Sequence, residues 1–304
     1  VSAGTAPPVV DVIVVTWNSA RVLPGLLASL PAGLTGLKWR LTIVDNASAD
    51  DTVAVARAGA PGCQIVQTGR NAGYAAAFNA GLARCAGYDA VLILNPDIRL
   101  APGCGAMLCR ALGETPTGAV GIAVPQLRDE DGTLARSLRR EPTLLRALGQ
   151  AVLGDRANRY PRLGEAVLDD ETYARPADVD WATGAIMLMS RECLARCGTW
   201  DESFFLYSEE TDYALRARDA GLATRLVPAA QAVHIGGESK VSPALWSLLT
   251  VNRVRLYRKR HNRFAAALYW STVLLGEAAR AGLGRRRSQC AVIGLLHRAG
   301  LPRG

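Results

Sequence analysis

The 304-residue sequence predicts an α/β fold, a doubly wound and mainly parallel sheet with helices on both faces, followed by a helical, basic C-terminal extension. Three observations predict it. Apolar strand-like runs alternate with helical patterns through the first 125 residues. Those runs are nearly continuous Val, Ile and Leu, as strands buried on both faces must be. And the positive charge gathers at one end. Residues 251–304 hold twelve Lys or Arg against the single acid Glu277, so they carry +11 of a net +8 and the remainder carries −3.

In order, "VVDVIVVT" (9–16), "LTIVD" (41–45), "QIVQT" (64–68), "AVLILN" (90–95) and "GAVGIAV" (118–124) are the expected strands. The segments "SARVLPGLLASL", "ADDTVAVARAG", "AGYAAAFNAGLARC" and "GCGAMLCRAL" between them are the expected helices. Beyond residue 125 the pattern changes. "RDEDGTLARSLRREP" suggests a hairpin or mobile loop, and 143–177 is irregular with weak helical signals. "VDWATGAIMLMS" resumes a strand, "SEETDYALRARDAG" a helix and "ATRLVPAAQAVHI" two short strands; from Ser242 onward the pattern is helical and basic.

Composition excludes several classes. An apolar fraction of 49% is ample for a core and argues against disorder. No window reaches the roughly 18–20 uninterrupted apolar residues that span a bilayer. The opening "VSAGTAPPVV" has no basic segment before an apolar run, so no signal peptide is expected. Seven cysteines without a CxxC pair point to free thiols in a reducing cytosol, with Cys104/Cys109 and Cys193/Cys197 spaced to share helix faces. Neither GxGxxG nor a Walker-type loop is present, so a diphosphate would need a metal or basic side chains.

The candidate residues cluster at strand ends. In "LNPDIRL" a buried strand runs into Asn95-Pro96-Asp97, where the proline stiffens the chain and places Asp97 at the carboxyl edge of a sheet. One such carboxylate suits Mg²⁺, which takes one or two protein acids plus phosphate oxygens and water. Asp45 ends the second strand, where an acid can accept hydrogen bonds from a base or ribose; capping of the next helix accounts for Ser48 and Asp50. "WDESFFLYSEETDYALRAR" (200–218) gathers more acids than capping by Ser208 and pairing of Asp212 with Arg216 require, which leaves a carboxylate as general base. His234 ends a short strand before Gly236-Gly237, as a structural histidine or as a metal or diphosphate contact.

Together, "VIVVTWNS", "IVDNASADDT", "NAGYAAAFNAG", "LNPD", "TGAIMLMSRECLARCGTWDESFFLYSEETDYALRARDAG" and "VHIGGES" resemble, in order, the inverting family-2 glycosyltransferases of the GT-A fold, rhamnosyltransferase-like members most of all. The resemblance spans roughly residues 10–260. It implies a nucleotide-sugar-binding half (1–125), an acceptor-binding and catalytic half of the same domain (126–241) and a tail (242–304). It implies that Thr16, Asp45, Asn71 and Asn95 meet the donor nucleotide, and that Asp97 and His234 meet a Mg²⁺ or Mn²⁺ ion. Thr183, Gly184 and Ala185, with Trp200, Asp201 and Glu202, then border the donor sugar and acceptor. Glu210 stands where the family has an Asp base, with Glu209 and Asp212 as the other candidates. The implied reaction moves a sugar, weakly rhamnose from dTDP-rhamnose, with inversion to a hydroxyl of a saccharide or polyprenyl-linked saccharide.

Two other functions fit parts of the pattern. A sugar-1-phosphate nucleotidyltransferase needs a basic glycine-rich loop after the first strand, which "TWNSARVLPG" matches poorly; a non-catalytic nucleotide-sugar-binding module is the other. The tail interleaves cations with Phe264, Leu268, Tyr269, Trp270, Leu274 and Leu275. That fits a helix lying on an anionic membrane surface, hence a cytoplasmic protein on the inner face of the cell membrane, or a helical subdomain packed on the body. No nucleic-acid recognition module accompanies the charge. The oligomeric state is open.

Overall fold

A computed structural model of the protein describes residues 6–115, 118–236 and 242–297. Its elements run β1 (Val9–Thr16), α1 (Leu23–Gly33), β2 (Lys38–Asp45), α2 (Thr52–Gly59), β3 (Gln64–Gln67), α3 (Tyr74–Leu82), β4 (Ala90–Leu94), β5 (Ile98–Leu100) and α4 (Cys104–Ala111). Next come β6 (Gly113–Thr115), β7 (Gly118–Asp129), β8 (Leu138–Arg139), α5 (Leu144–Leu153), α6 (Asp170–Ala174), β9 (Ala177–Val179), β10 (Trp181–Ala182), β11 (Ile186–Ser190) and α7 (Arg191–Cys197). The chain ends in α8 (Glu209–Asp219), β12 (Leu222–His234), α9 (Pro243–Arg260), α10 (Arg263–Gly282) and α11 (Arg286–Leu296).

β1 is buried from Val10 to Thr16 because it lies between β2 and β4, parallel to both. Its side chains alternate between two cores. Val10, Val12 and Val14 pack toward α1 and α4, while Ile13 and Val15 pack toward α3, α7 and α8. This is why a continuous apolar run, not an alternating one, encodes the strand. The sheet order is β3-β2-β1-β4-β11-β7-β12-β5, with β11 antiparallel to both neighbours. The N-terminal strands are parallel and place their carboxyl ends along one edge.

Three expectations need correction. "ATRLVPAAQAVHI" is one strand, β12, whose register shifts between Val227 and Gln231. Pro228 lies within that irregularity, where its missing N–H interrupts the ladder without ending the strand. The stretch 143–177 is not mainly irregular: α5 has a Thr143 cap, whose side chain accepts from Arg146 N. Ser208 does not cap α8 with its side chain; it sits in a left-handed conformation, φ 75°. The last residues of "VHIGGES" lie outside the described residues.

The C-terminal helices pack on the body. Ala147 of α5, Val251, Val254 and Tyr257 of α9, Tyr269 of α10 and Leu295 of α11 form a third core. The Tyr257 and Tyr269 rings stack at 3.9 Å. Among the described residues no helix is long and apolar enough to cross a membrane.

Candidate active site

The first corner of the candidate site is built from the ends of β1 and β2. Parallel register sets Thr16 opposite Asp45, and the Thr16 hydroxyl donates to Asp45 Oδ1 at 3.1 Å. Ser48 donates to the same carboxylate from its hydroxyl (2.5 Å) and its backbone N–H (3.0 Å). Asp45 is therefore a buried, well-bonded acid that shapes the loop after β2. The two loops turn through left-handed residues, Asn18 (φ 49°) and Ala47 (φ 58°). Trp17, exposed beside them, presents an indole face that the sequence reading passed over. Asn71 accepts from Gly73 N at 3.2 Å. Gly73 has φ 90°, and a Cβ there would lie 2.3 Å from Phe205 O, so only glycine lets the 204–207 loop rest on α3.

β4 then delivers Asn95-Pro96-Asp97. Asn95 N donates to Ala185 O at 2.8 Å, which ties this turn to the segment before β11. Antiparallel pairing of β5 with β12 sets Ile98 opposite His234. His234 Nε2 lies 3.2 Å from Asp97 Oδ2. Asp97 Oδ1 is buried without a protein partner. A Cβ at Gly236 would lie 2.2 Å from Asp97 Oδ2, so glycine keeps that side of the carboxylate clear. A partnerless carboxylate oxygen beside an imidazole fits a divalent cation whose remaining ligands are substrate phosphate and water. Among the described residues no cluster of three or more His, Cys, Asp or Glu forms a closed protein cage. An open site of this kind is what Mg²⁺ or Mn²⁺ takes in phosphate chemistry.

The acids of α8 enter on a strained turn. Tyr207 (φ 70°) and Ser208 are both left-handed and neither is glycine, a state costing of order 1–3 kcal/mol each. The following helix begins at Glu209, so Glu209 and Glu210 occupy its positive end. Gly184 makes room for Glu210: a Cβ on Gly184 would lie 3.2 Å from Glu210 Cβ. Glu209 is buried, with Oε2 lacking a partner. Burial first, and the charge of Glu210 second, hold the Glu209 carboxyl well above the usual range. Tyr74, unmarked in the sequence, donates its hydroxyl to Gly184 O at 3.1 Å. Burial pushes its pKa up, and the charges of Glu209, Glu210 and Asp97 add to that. The metal-type acid and the base-type acids thus share one electrostatic neighbourhood around Tyr74.

Asp212 is different. Fully buried, it pairs with Arg216 at 2.9 Å and with Lys259 at 2.8 Å. Lys259 also holds Asp201 at 2.7 Å. Partial burial pushes Asp201 up, but the Lys259 and Ser203 hydrogen bonds outweigh it and hold the acid at about 2. Trp200 lies in the core against Phe78, Tyr213 and Tyr74, so its indole supports the loop from behind. Glu202 is exposed and accepts from Asn79 at 2.9 Å.

α9, reached through the sequence only as a basic helix, clamps this loop. Asn252 Nδ2 donates to Leu206 O (2.9 Å) and Tyr207 O (3.3 Å). Arg255 donates to Ser203 O. With Lys259 these residues recur at i, i+3 and i+7 on one helix face. A groove of about 570 Å³ opens beside the acids, lined by Thr183, His234, Gly236, Arg136, Arg139 and Asp129 among others. A cavity of about 550 Å³ between α1, β2 and α2 holds none of the candidate residues.

The pattern of glycosyl transferase family 2 matches residues 11–167. The chain is 32% identical over 237 residues to the N-acetylglucosaminyl-diphospho-decaprenol L-rhamnosyltransferase of Mycobacterium tuberculosis, covering 74% of this chain and 76% of that one. It is 28% identical over 167 residues to rhamnosyltransferase WbbL of Escherichia coli, covering 55% and 60%. In fold it is similar to GalNAc-T7, solved with UDP, GalNAc and Mn²⁺ (TM-score 0.63, 14% identity, 95% of this chain and 56% of that chain). It is similar also to the mannosyltransferase PcManGT of Pyrobaculum calidifontis, solved with GDP-Man and Mn²⁺ (TM-score 0.57, 19% identity, 94% and 79%). These likenesses establish the GT-A fold, and the sequence matches make the chain a member of glycosyl transferase family 2.

Proposed function

We propose that this glycosyltransferase moves a sugar, with rhamnose from dTDP-rhamnose favoured, to a hydroxyl of a lipid-linked saccharide, with inversion and with help from Mg²⁺ or Mn²⁺. The observation that carries the reading is the meeting of Asp97, His234, Glu209 and Glu210 at one edge of the sheet, around Tyr74 and Gly184. The names of the rhamnosyltransferase relatives support the sugar and the lipid-linked acceptor. We place the protein on the cytoplasmic face of the cell membrane as a peripheral protein, where a lipid-linked acceptor is presented.

In this reading Glu210 takes the proton of the acceptor hydroxyl as its oxygen attacks the anomeric carbon. Attack from the face opposite the leaving diphosphate inverts that carbon. Asp97 and His234 would hold a divalent ion, which when bound would supply charge neutralisation for a departing diphosphate. Thr16, Asp45, Asn71 and Asn95 shape the nucleotide site, and Thr183, Gly184 and Ala185 the sugar site, with Asp201 and Glu202 bordering the acceptor. Glu209, buried beside Glu210, has its carboxyl held well above the usual range by burial first and by that neighbour's charge second.

The test is calorimetry of dTDP binding with and without Mn²⁺. Asp97→Ala should abolish the metal-dependent part of the affinity while the melting temperature stays near wild type. Unchanged metal-dependent affinity would remove Asp97 from the ion site. Transfer from labelled dTDP-rhamnose to a lipid-linked saccharide tests the reaction itself.

A further inference from the structure

Apolar side chains are unusually exposed on the outer side of the C-terminal helices. On α10, Phe264 (75% exposed), Leu268 and Leu275 (69%) fall within about 40° of one another around the helix. Ala267, Ser271 and Ala278, between them, add no charge to that face. α5 packs beside α10: a Cβ on Gly276 would lie 2.9 Å from Ala151 Cβ, and Arg280 donates to Gln150 O. α5 has its own stripe, Leu145, Leu148 and Val152 (79% exposed), within about 60°. Isolated exposed apolar residues are ordinary, but two adjacent stripes form a patch that asks for a partner.

The fringe of the patch identifies that partner. Arg258 and Arg263 are exposed where α9 meets α10, Arg285 and Arg286 where α10 meets α11, and Arg156 and Arg159 just after α5, where exposed Asp155 offsets one of the two. The only acid in residues 251–304, Glu277, is buried and pairs with Arg280 at 2.9 Å. The fringe of α10 therefore carries one sign of charge. A second copy of the chain docked through a twofold axis would bring these arginines against each other. A surface of anionic lipid headgroups with acyl chains beneath matches both the apolar stripes and the cationic rim.

We infer that the paired outer faces of α5 and α10 form one membrane-docking surface that sinks apolar side chains into an anionic bilayer. The identity of the lipid side rests on the transferase reading; the surface itself does not. α5 belongs to it although it lies about a hundred residues before the tail. That placement has a use. Arg139, which lines the groove holding Thr183 and His234, comes five residues before α5 begins. The docked face therefore adjoins, through the chain, the groove that leads to the reacting groups.

Flotation of the full chain with phosphatidylcholine vesicles, with and without phosphatidylglycerol, tests this. Wild type should float with anionic vesicles and less with neutral ones, and part of the binding should persist at high salt because the apolar contacts are not screened. Phe264→Glu/Leu275→Glu and, separately, Leu148→Glu/Val152→Glu should each lower partitioning roughly tenfold or more. Both pairs are exposed, so melting temperatures should hold. Undiminished flotation of the α5 pair would confine binding to the tail and overturn the shared surface. A wild-type dimer by light scattering, made monomeric by these substitutions, would assign the face to a second copy and overturn the inference. dTDP binding by calorimetry in the same samples separates the two claims. Absent flotation with intact nucleotide binding sinks the surface alone, whereas flotation without nucleotide binding sinks the transferase reading alone.

Discussion

The first turn of α8 carries acids in opposite surroundings. Glu209 and Glu210 open the helix on a strained turn, beside Gly184 and Tyr74, and Glu209 keeps a buried oxygen without a partner. Two residues past Glu210, Asp212 is also buried, yet it is gripped by Arg216 and Lys259. The difference separates an acid beside Gly184 and Tyr74 from an acid tied into ion pairs. With two cations 2.8–2.9 Å away, the Asp212 carboxylate is fixed in place by its ion pairs. Glu210, at the helix start and against Gly184, is the acid proposed above as the base.

The largest effect should come from the acid beside Gly184. Glu210→Gln preserves shape but cannot take a proton, so turnover should fall about 10²- to 10⁴-fold. Donor affinity and melting temperature should stay near wild type. The matching change behind it should do the reverse. Asp212→Asn removes the charge that two cations share, and should cost about 2–4 kcal/mol of stability, less than a fully buried pair because Lys259 and Arg216 are partly exposed. Denaturant midpoints and single-turnover rates on both variants check the pair. Should Asp212→Asn be the dead, stable variant, the two acids have exchanged roles.

Much of this was legible in the sequence, and the illegible part has a physical pattern. Strands β1, β2 and β4 announced themselves because burial on both faces demands unbroken Val, Ile and Leu. Asn95-Pro96-Asp97 was legible because a proline after a buried strand is a local signal. The two roles within "SEETD" were not, since they depend on Lys259, 47 residues beyond Asp212 in the chain. The clamp of Asn252 on Leu206 and Tyr207 is equally remote. The charge of the tail misled for the same reason. Arg253, Lys259 and Arg260 spend their charge on Glu165, Asp201, Asp212 and Asp219, so most of α9 serves the packing and Arg258 at its end is left to the basic surface. Lone Tyr74 gave no signal beyond the small residues around it.

The clamp sharpens the comparison at intermediate size. Asn252 bonds two carbonyls of the segment that must turn left-handed at Tyr207 and Ser208. Asn252→Ala removes both of these part-buried hydrogen bonds, at a cost of about 1–3 kcal/mol. Because the turn aims Glu210, turnover should fall more than dTDP affinity does. Equal losses in both would make Asn252 a general stabiliser with no bearing on the acid.

The smallest effect concerns Glu209 and is read as a pH dependence. Its folded-state pKa is raised, by burial first and by Glu210 second. An unfolded glutamate titrates near about 4.3. Below that pH both states hold the proton and Glu209 has no titration penalty. As pH rises from there toward the folded pKa, the unfolded chain releases its proton while the folded protein retains it, so stability declines. Glu209→Gln removes that decline. The variant should gain on wild type as pH climbs from about 4.3 toward neutrality, with the gap closing in acid. Asp201 works in the opposite sense and in a lower window, since its stabilising charge is lost as pH falls from about 3.9 toward about 2. Both proteins keep Asp201, so it cancels from the difference. Melting temperatures of the two proteins across pH 4 to 8 give the answer. A constant gap over that range would mean that folding does not shift the Glu209 carboxyl, and its raised pKa beside Glu210 would have to be abandoned.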